Sequence, residues 1–259
     1  MIDVLVSGAA GRMGREVCRA VSAEPDMRLV AAVDPAHAGE ALPEADGLVV
    51  TGDLSAAIAQ TAPAVMVDFT HPSAVESNLA VALAAGVHCV VGTTGLAPER
   101  LEALAAAAPA DTCLFVAPNF AIGAVLMMRF AGEAARFMPH AEIVELHHDR
   151  KADAPSGTAL RTASLIAEAR PTVPVVPGAE SELIAGARGA SADGVPVHSV
   201  RLPGLVAHQE VLFGGLGQTL TIRHDTIDRT SFMPGVVLAI RKTVGRSGLV
   251  VGLEQYLED

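Results

Sequence analysis

From residue 1 to about 120 the chain repeats one theme: a short β-branched run, a turn, then an alanine-rich stretch of helical length. The runs are DVLVSG, RLVAAVD, AVMVDFT, HCVVGTT and TCLFVAPNF, and GREVCRAVSAE, SAVESNLAVALAAG and APERLEALAAAA are among the intervals. Apolar runs of this kind, bounded by turn residues and separated by helices, read as strands buried on both faces and joined by helical crossovers. The pattern predicts an α/β domain, a Rossmann-like doubly wound parallel sheet.

The second half changes character. AEIVELHH reads as a strand and SGTALRTASLIAEA as a helix, while PTVPVVPGAE and AGARGASADG read as surface loop. VPVHSVRL, HQEVLFGG and QTLTIRHD then alternate with a period of two, which predicts a second, α+β domain on a mixed or antiparallel sheet. GVVLAIRKTVG is a closing helix, with Gly245 as its cap.

Charge and composition exclude several partners. Lys plus Arg number 18 against 29 Asp plus Glu, a formal charge of -11, so polyanions are repelled unless a local patch overrides the sum. With no Trp, one Tyr and 3% aromatics there is little to stack bases on, and no nucleic acid is expected as partner. Cys18, Cys89 and Cys113 form no C-x-x-C pair, which fits a reducing cytoplasm better than a disulfide framework. The chain enters a strand pattern at once and nowhere runs 18 apolar residues together, so no membrane association is expected.

VLVSGAAGRMGREV sets Gly8, Gly11 and Gly14 between a strand and a helix, where a dinucleotide pyrophosphate can meet a helix N-terminus. The spacing is G-x-x-G-x-x-G, with Ala10 where the second glycine of the usual fingerprint stands. Glycines also serve tight turns for steric reasons alone. Asp34, 20 residues after Gly14 at the end of the second strand, adds the carboxylate that accepts from ribose hydroxyls. Together the turn, the strand and the carboxylate point to dinucleotide binding.

ELHHDRKADAPSGTA, residues 145–159, crowds His147, His148, Arg150 and Lys151 into five positions of an acidic chain. On a strand the two histidines point to opposite faces, so one meets a cleft or solvent. Ser156 is a good N-cap, and Gly157 and Thr158 fall in the first helical turn, where N–H groups and the dipole attract an anion. A solvated charged loop is the plain alternative. Cations, a helix N-terminus and two imidazoles able to move protons near neutral pH are accounted for together by a small carboxylate ligand. No His spacing suited to zinc accompanies the pair and no G-x-S-x-G surrounds Ser156, so neither a metal nor a serine nucleophile is expected.

GAAGRMG, VVGTTG at 90–95, APNFAIG at 117–123 and above all ELHHDRKADAPSGTA resemble the dihydrodipicolinate reductase family, in order along essentially the whole chain. The resemblance implies reduction of a cyclic conjugated imine dicarboxylate by NADH or NADPH in the diaminopimelate and lysine pathway. It implies His147 as proton donor or acceptor and Lys151 as a second acid, with His148, Gly157 and Thr158 on the substrate. Gly8, Ala9, Ala10, Gly11, Arg12, Met13, Asp34, Gly92, Thr93, Thr94, Ala117, Pro118, Asn119 and Phe120 would hold the cofactor. A discontinuous first domain, residues 1–121 with 231–259, a substrate domain, 122–230, closure between the two, and a homotetramer built on the second sheet are implied as well.

One departure bears on the cofactor. Pro35 stands where some members carry an Arg able to meet a 2′-phosphate, leaving Arg12 and His37 for that task, so NADH is expected to serve at least as well as NADPH. Two rivals remain, to be separated by a substrate panel and by steady-state turnover. Other two-domain dehydrogenases have no reason to carry His-His-x-x-Lys before Ser-Gly-Thr, and a dinucleotide sensor should bring an effector module.

Overall fold

The computed structural model describes residues 1–45, 47–172 and 181–257. The chain divides into two compact units, Met1–Ile122 with Arg229–Asp259, and Gly123–Asp228. The segment PTVPVVPGAE lies outside the described residues from position 173 onward.

In the first unit six strands lie side by side: β1 (Ile2–Ser7), β2 (Met27–Val33), β3 (Val65–Asp68), β4 (His88–Val91), β5 (Cys113–Val116) and β11 (Gly248–Val251). Their order is β11-β5-β4-β3-β1-β2, and every pairing is parallel. Successive side chains leave a strand on opposite faces, so each run supplies two layers of core. Leu5, Met66 and Leu114 enter the layer with Ile58 of α2 (Leu54–Thr61), Val75 and Leu79 of α3 (Pro72–Ala84) and Leu101 of α4 (Pro98–Ala107). On the strands the other face is covered by α1 (Arg12–Ala23) and α7 (Met233–Thr243), which pack on each other. Burial of an Ile, Leu or Phe side chain is worth about 1.5–3 kcal/mol, so these two layers dominate the unit's stability.

The chain does not end on α7 as the sequence suggests. Its C-cap is Val244, and Gly245 follows with φ +91, a left-handed conformation suited to glycine. The four residues of β11 then add to the edge of β5, and α8 (Glu254–Leu257) closes the chain. Four apolar residues carry no period of their own; the β5 edge decides their conformation.

The second unit opens with α5 (Ile122–Ala135), which begins at its boundary, and holds β6 (His140–His147), α6 (Gly157–Ala169), β7 (Ala190–Ala192), β8 (Val195–Arg201), β9 (Ala207–Gly215) and β10 (Gln218–Thr226). The sheet order is β10-β9-β6-β8-β7, with β6–β8 parallel and the rest antiparallel. Met127 and Ala131 of α5 and Ala159, Ala163 and Ile166 of α6 cover Ile143, Val197, Val211 and Phe213 on one face. Part of AGARGASADG proves to be strand. Asp193 and Gly194, at φ +51 and +74, make a two-residue turn that folds β7 back onto β8.

Candidate active site

All the residues expected to hold a dinucleotide stand at the carboxyl ends of strands in the first sheet. Gly8 to Met13 follow β1, Asp34 follows β2, Gly92 to Thr94 follow β4 and Ala117 to Phe120 follow β5. β1 lies between β2 and β3, where the strand order reverses, and ligands of open α/β sheets bind at that point. Gly8 has φ +78, and a Cβ there would stand 2.5 Å from the Phe69 carbonyl oxygen. A Cβ on Gly14 would run into the Gly8 carbonyl, so that glycine lets α1 pack onto the turn. Gly11 is the N-cap of α1 and supplies no side-chain acceptor, which leaves the helix N-terminus open to an anion.

Asp34 ties this turn together. Its Oδ2 accepts from Ala10 N–H at 3.3 Å and its Oδ1 from Ala36 N–H at 3.2 Å. A cavity of about 360 Å³ lies beside it, bounded among others by Gly8, Gly11, Asp34, Pro35, Phe69 and His71. Glycine turn, open helix end and cavity together fit a dinucleotide. Of the two cations considered for a 2′-phosphate, His37 is engaged with Glu40 at 3.2 Å. Arg12, exposed at the start of α1, makes no ion pair with the described residues.

Sequence reasoning passed over what holds the other loops of this unit. Asp68, fully buried at the end of β3, accepts from Thr70 Oγ1 at 2.7 Å, Thr93 Oγ1 at 2.8 Å and Asn78 Nδ2 at 2.9 Å. A buried carboxylate needs such donors, and here they fasten the loop after β3 to the one after β4. The Phe69 ring lies against Gly92, where a Cβ would collide with it, and 5.6 Å from the Phe120 ring. Phe69 thereby joins the Gly92 and Phe120 segments.

The substrate half is built on β6. Ala141, Ile143 and Glu145 alternate onto its core face, so Glu145 is fully buried beneath α6. Arg201, at the end of β8 and in register with His147, donates to both Glu145 oxygens, at 2.8 and 2.9 Å. Burial would raise this carboxyl, but hydrogen bonds from Arg201, Ser199 and His147 outweigh it and hold Glu145 below the usual carboxylate range. Removing one partner of such a buried pair costs about 3–5 kcal/mol, because the other charge is stranded.

His147 ends the strand, one residue earlier than the sequence suggests, and its Nδ1 lies 2.5 Å from Glu145 Oε2. Burial pushes the imidazole down; the carboxylate opposes this, Lys151 and Arg201 add to it, and the net shift is downward. Nδ1 therefore faces the carboxylate, and Nε2 is the ring nitrogen left for other contacts. His148 lies outside the strand, its Nδ1 buried without a hydrogen-bond partner. Lys151 Nζ meets both Asp153 oxygens at 2.8 Å. Ser156 caps α6 as expected, accepting from Ala159 N–H at 3.2 Å. Gly157 and Thr158 open that helix, and a Cβ on Gly157 would meet nothing within 4 Å, so the first turn has room for an anion.

Glu145 and Arg201 are the residues missed here. A glutamate in the apolar register of β6 was the available signal for the first. Arg201 stands 56 positions away and meets Glu145 only through strand pairing. Among the described residues no three His, Cys, Asp or Glu side chains gather as a metal site would need.

A doubly wound sheet with an open, glycine-lined helix end, and a second unit that carries an imidazole, a lysine and another open helix end in one contiguous segment, define a dinucleotide-dependent oxidoreductase. Its two halves match the family models described as dihydrodipicolinate reductase, N-terminus, over residues 2–120, and dihydrodipicolinate reductase, C-terminus, over residues 123–257. The chain belongs to the dihydrodipicolinate reductase family. A 4-hydroxy-tetrahydrodipicolinate reductase of Gloeobacter violaceus is 54% identical, with 99% of each chain covered, and one of Moorella thermoacetica is 53% identical over 99% of this chain and 98% of its own. The solved structure of a dipicolinate-bound dihydrodipicolinate reductase from a Paenisporosarcina species superposes with a TM-score of 0.87 at 45% identity, covering 98% of this chain and 99% of that one. Reductases of this family use NAD(P)H.

Proposed function

We propose that the chain reduces 4-hydroxy-tetrahydrodipicolinate, by way of dihydrodipicolinate, to tetrahydrodipicolinate in diaminopimelate and lysine biosynthesis. The nicotinamide, when bound, supplies hydride from its C4. Asp34 and the Gly8–Met13 turn hold the adenosine and pyrophosphate end, and Gly92 to Thr94 with Ala117 to Phe120 hold the rest. One substrate carboxylate accepts from the first-turn N–H groups of Gly157 and Thr158; the other faces His148 and Lys151. Addition of hydride to the conjugated imine leaves an enamine that takes one proton. Lys151 supplies that proton, and His147 exchanges protons at Nε2.

The observation that carries this reading is the buried Glu145 carboxylate, which meets His147 and the Ser156-capped helix end directly and the Lys151 loop through Arg201. The second unit's exposed β10 edge supports a homotetramer formed through that sheet. The cysteines, free and buried, suit a cytoplasmic setting. The test is oxidation of NADH and NADPH with substrate generated in place from pyruvate and aspartate semialdehyde. Turnover that requires both precursors is expected; none, with a coupling enzyme shown to be active, would refute the assignment.

A further inference from the structure

Glu145 has no part in the reaction as described, yet the end of β6, the end of β8 and the start of α6 meet at its carboxylate. Its Oε2 accepts from His147 Nδ1 at 2.5 Å and from Arg201 Nη1 at 2.9 Å. Its Oε1 accepts from Arg201 Nη2 at 2.8 Å and from the Ser156 N–H at 3.3 Å, the residue that caps α6. Arg201 donates in addition to the Asp153 carbonyl at 2.6 Å, and Asp153 carries the carboxylate that holds Lys151. One buried side chain thus meets the imidazole and the helix end directly and the lysine loop through Arg201, and full burial leaves it no surface for a ligand.

We propose that Glu145, clamped by Arg201, is a positioning residue that holds His147 as its Nδ1–H tautomer and so presents Nε2 to the substrate. This rests on the reading that His147 moves a proton. A ring free to adopt either tautomer would place its lone pair on the wrong nitrogen part of the time. The charges that face the ring are Glu145 on its own strand, Arg201 on β8 and Lys151 in the loop, while β9 sets Ala207 opposite it. Of these only the carboxylate favours imidazolium, so removing its charge lowers the ring's proton affinity further.

Glu145→Gln keeps the shape and removes the charge. The expected result is a fall in kcat of about tenfold or more, since a misplaced tautomer disables the base, with NADH binding unchanged. The acid limb of kcat/KM should move to lower pH. Nitrogen NMR of histidine-labelled wild-type protein, above that limb, should show His147 protonated on Nδ1 and bare on Nε2. A wild-type ring protonated on Nε2 would overturn the proposal, whether or not the variant folds. So would a folded Glu145→Gln enzyme with only a lowered Tm and an unmoved kcat and acid limb, which is what a merely structural residue gives. His147→Ala separates the two ideas: if it retains full turnover, the role of His147 itself is wrong; if it is inactive while Glu145→Gln is normal, only the positioning role fails.

Discussion

His147 and Lys151 are held in different ways, and the difference bears on what each can do. The imidazole is pinned by a carboxylate with no exposure, whereas the partner of Lys151 is an Asp153 whose side chain is 63% exposed. An ion pair so open to water is worth about 0–1 kcal/mol, so Lys151 can leave Asp153 for a substrate carboxylate at little cost. His147→Ala and Lys151→Ala should each lower kcat by about 100-fold or more while NADH titrations stay near wild type. Acid should also destabilise the fold in two steps. His147 titrates below its ordinary 6.5 when folded, so the unfolded chain binds the extra proton first and stability falls as pH drops below about 6.5. Glu145, lowered from 4.5, loses its contribution only further down, as pH falls through its folded value. Melting curves from pH 8 to 4 should show His147→Gln reducing the first step, which His88 and His224, also lowered by burial, share. Under the proposed cofactor contacts, Asp34 would govern the other ligand: a carboxylate there suits ribose hydroxyls and repels a 2′-phosphate, with Arg12 as the opposing charge. Calorimetry should find NADH bound at least as tightly as NADPH, and Asp34→Asn should shift the ratio toward NADPH; a wild-type preference for NADPH beyond about tenfold, 1.4 kcal/mol, would mean that the cations win.

The start of α6 joins stability to binding in one helix. Ser156 is buried and its Oγ satisfies one of the helix's first N–H groups, so Ser156→Ala should cost about 1 kcal/mol of stability. The same change loosens the turn that carries Gly157 and Thr158, and pyridine-2,6-dicarboxylate should inhibit less well, read as a raised inhibition constant beside a lowered Tm. Pyridine-2-carboxylate, lacking one carboxylate, should inhibit far more weakly than the diacid in the wild type. This helix was legible in the sequence because its signals are local: a capping serine, an apolar period and the proline before it. So were β1 to β5, whose apolar runs stand between turn residues. What was not legible depends on pairing. β11 is four residues that become a strand only against β5, and β7 three that do so through the Asp193–Gly194 turn. The site divides in the same way. His147, Lys151 and the glycine turn lie in contiguous motifs, whereas Arg201 meets Glu145, and Thr93 meets Asp68, across registers that no local window contains.

A chain with a formal charge of -11 repels its own copies, so self-association has to be driven by apolar area and open strand edge. The second sheet offers both. β10 forms one edge, nine residues long and exposed over most of its length, whereas the opposite edge, β7, has three. Leu212, Leu216 and Leu220 stand exposed on β9, β10 and the turn between them. The charges there are already spent within the chain: Arg223 pairs with Glu210 and Asp225, and His208 with Asp225. A neutralised, leucine-bearing edge of this kind suits the proposed self-association. Burying a leucine contributes about 1.5–3 kcal/mol, and the proposed homotetramer would repeat the gain at every symmetric contact. Light scattering behind size exclusion should therefore give four chains per particle at micromolar concentration. Leu212→Lys with Leu220→Lys adds like charge to each copy at the same place and should yield smaller particles. A wild type that runs as a monomer at every concentration would remove the tetramer, and a double variant that stays tetrameric would move the interface away from this sheet.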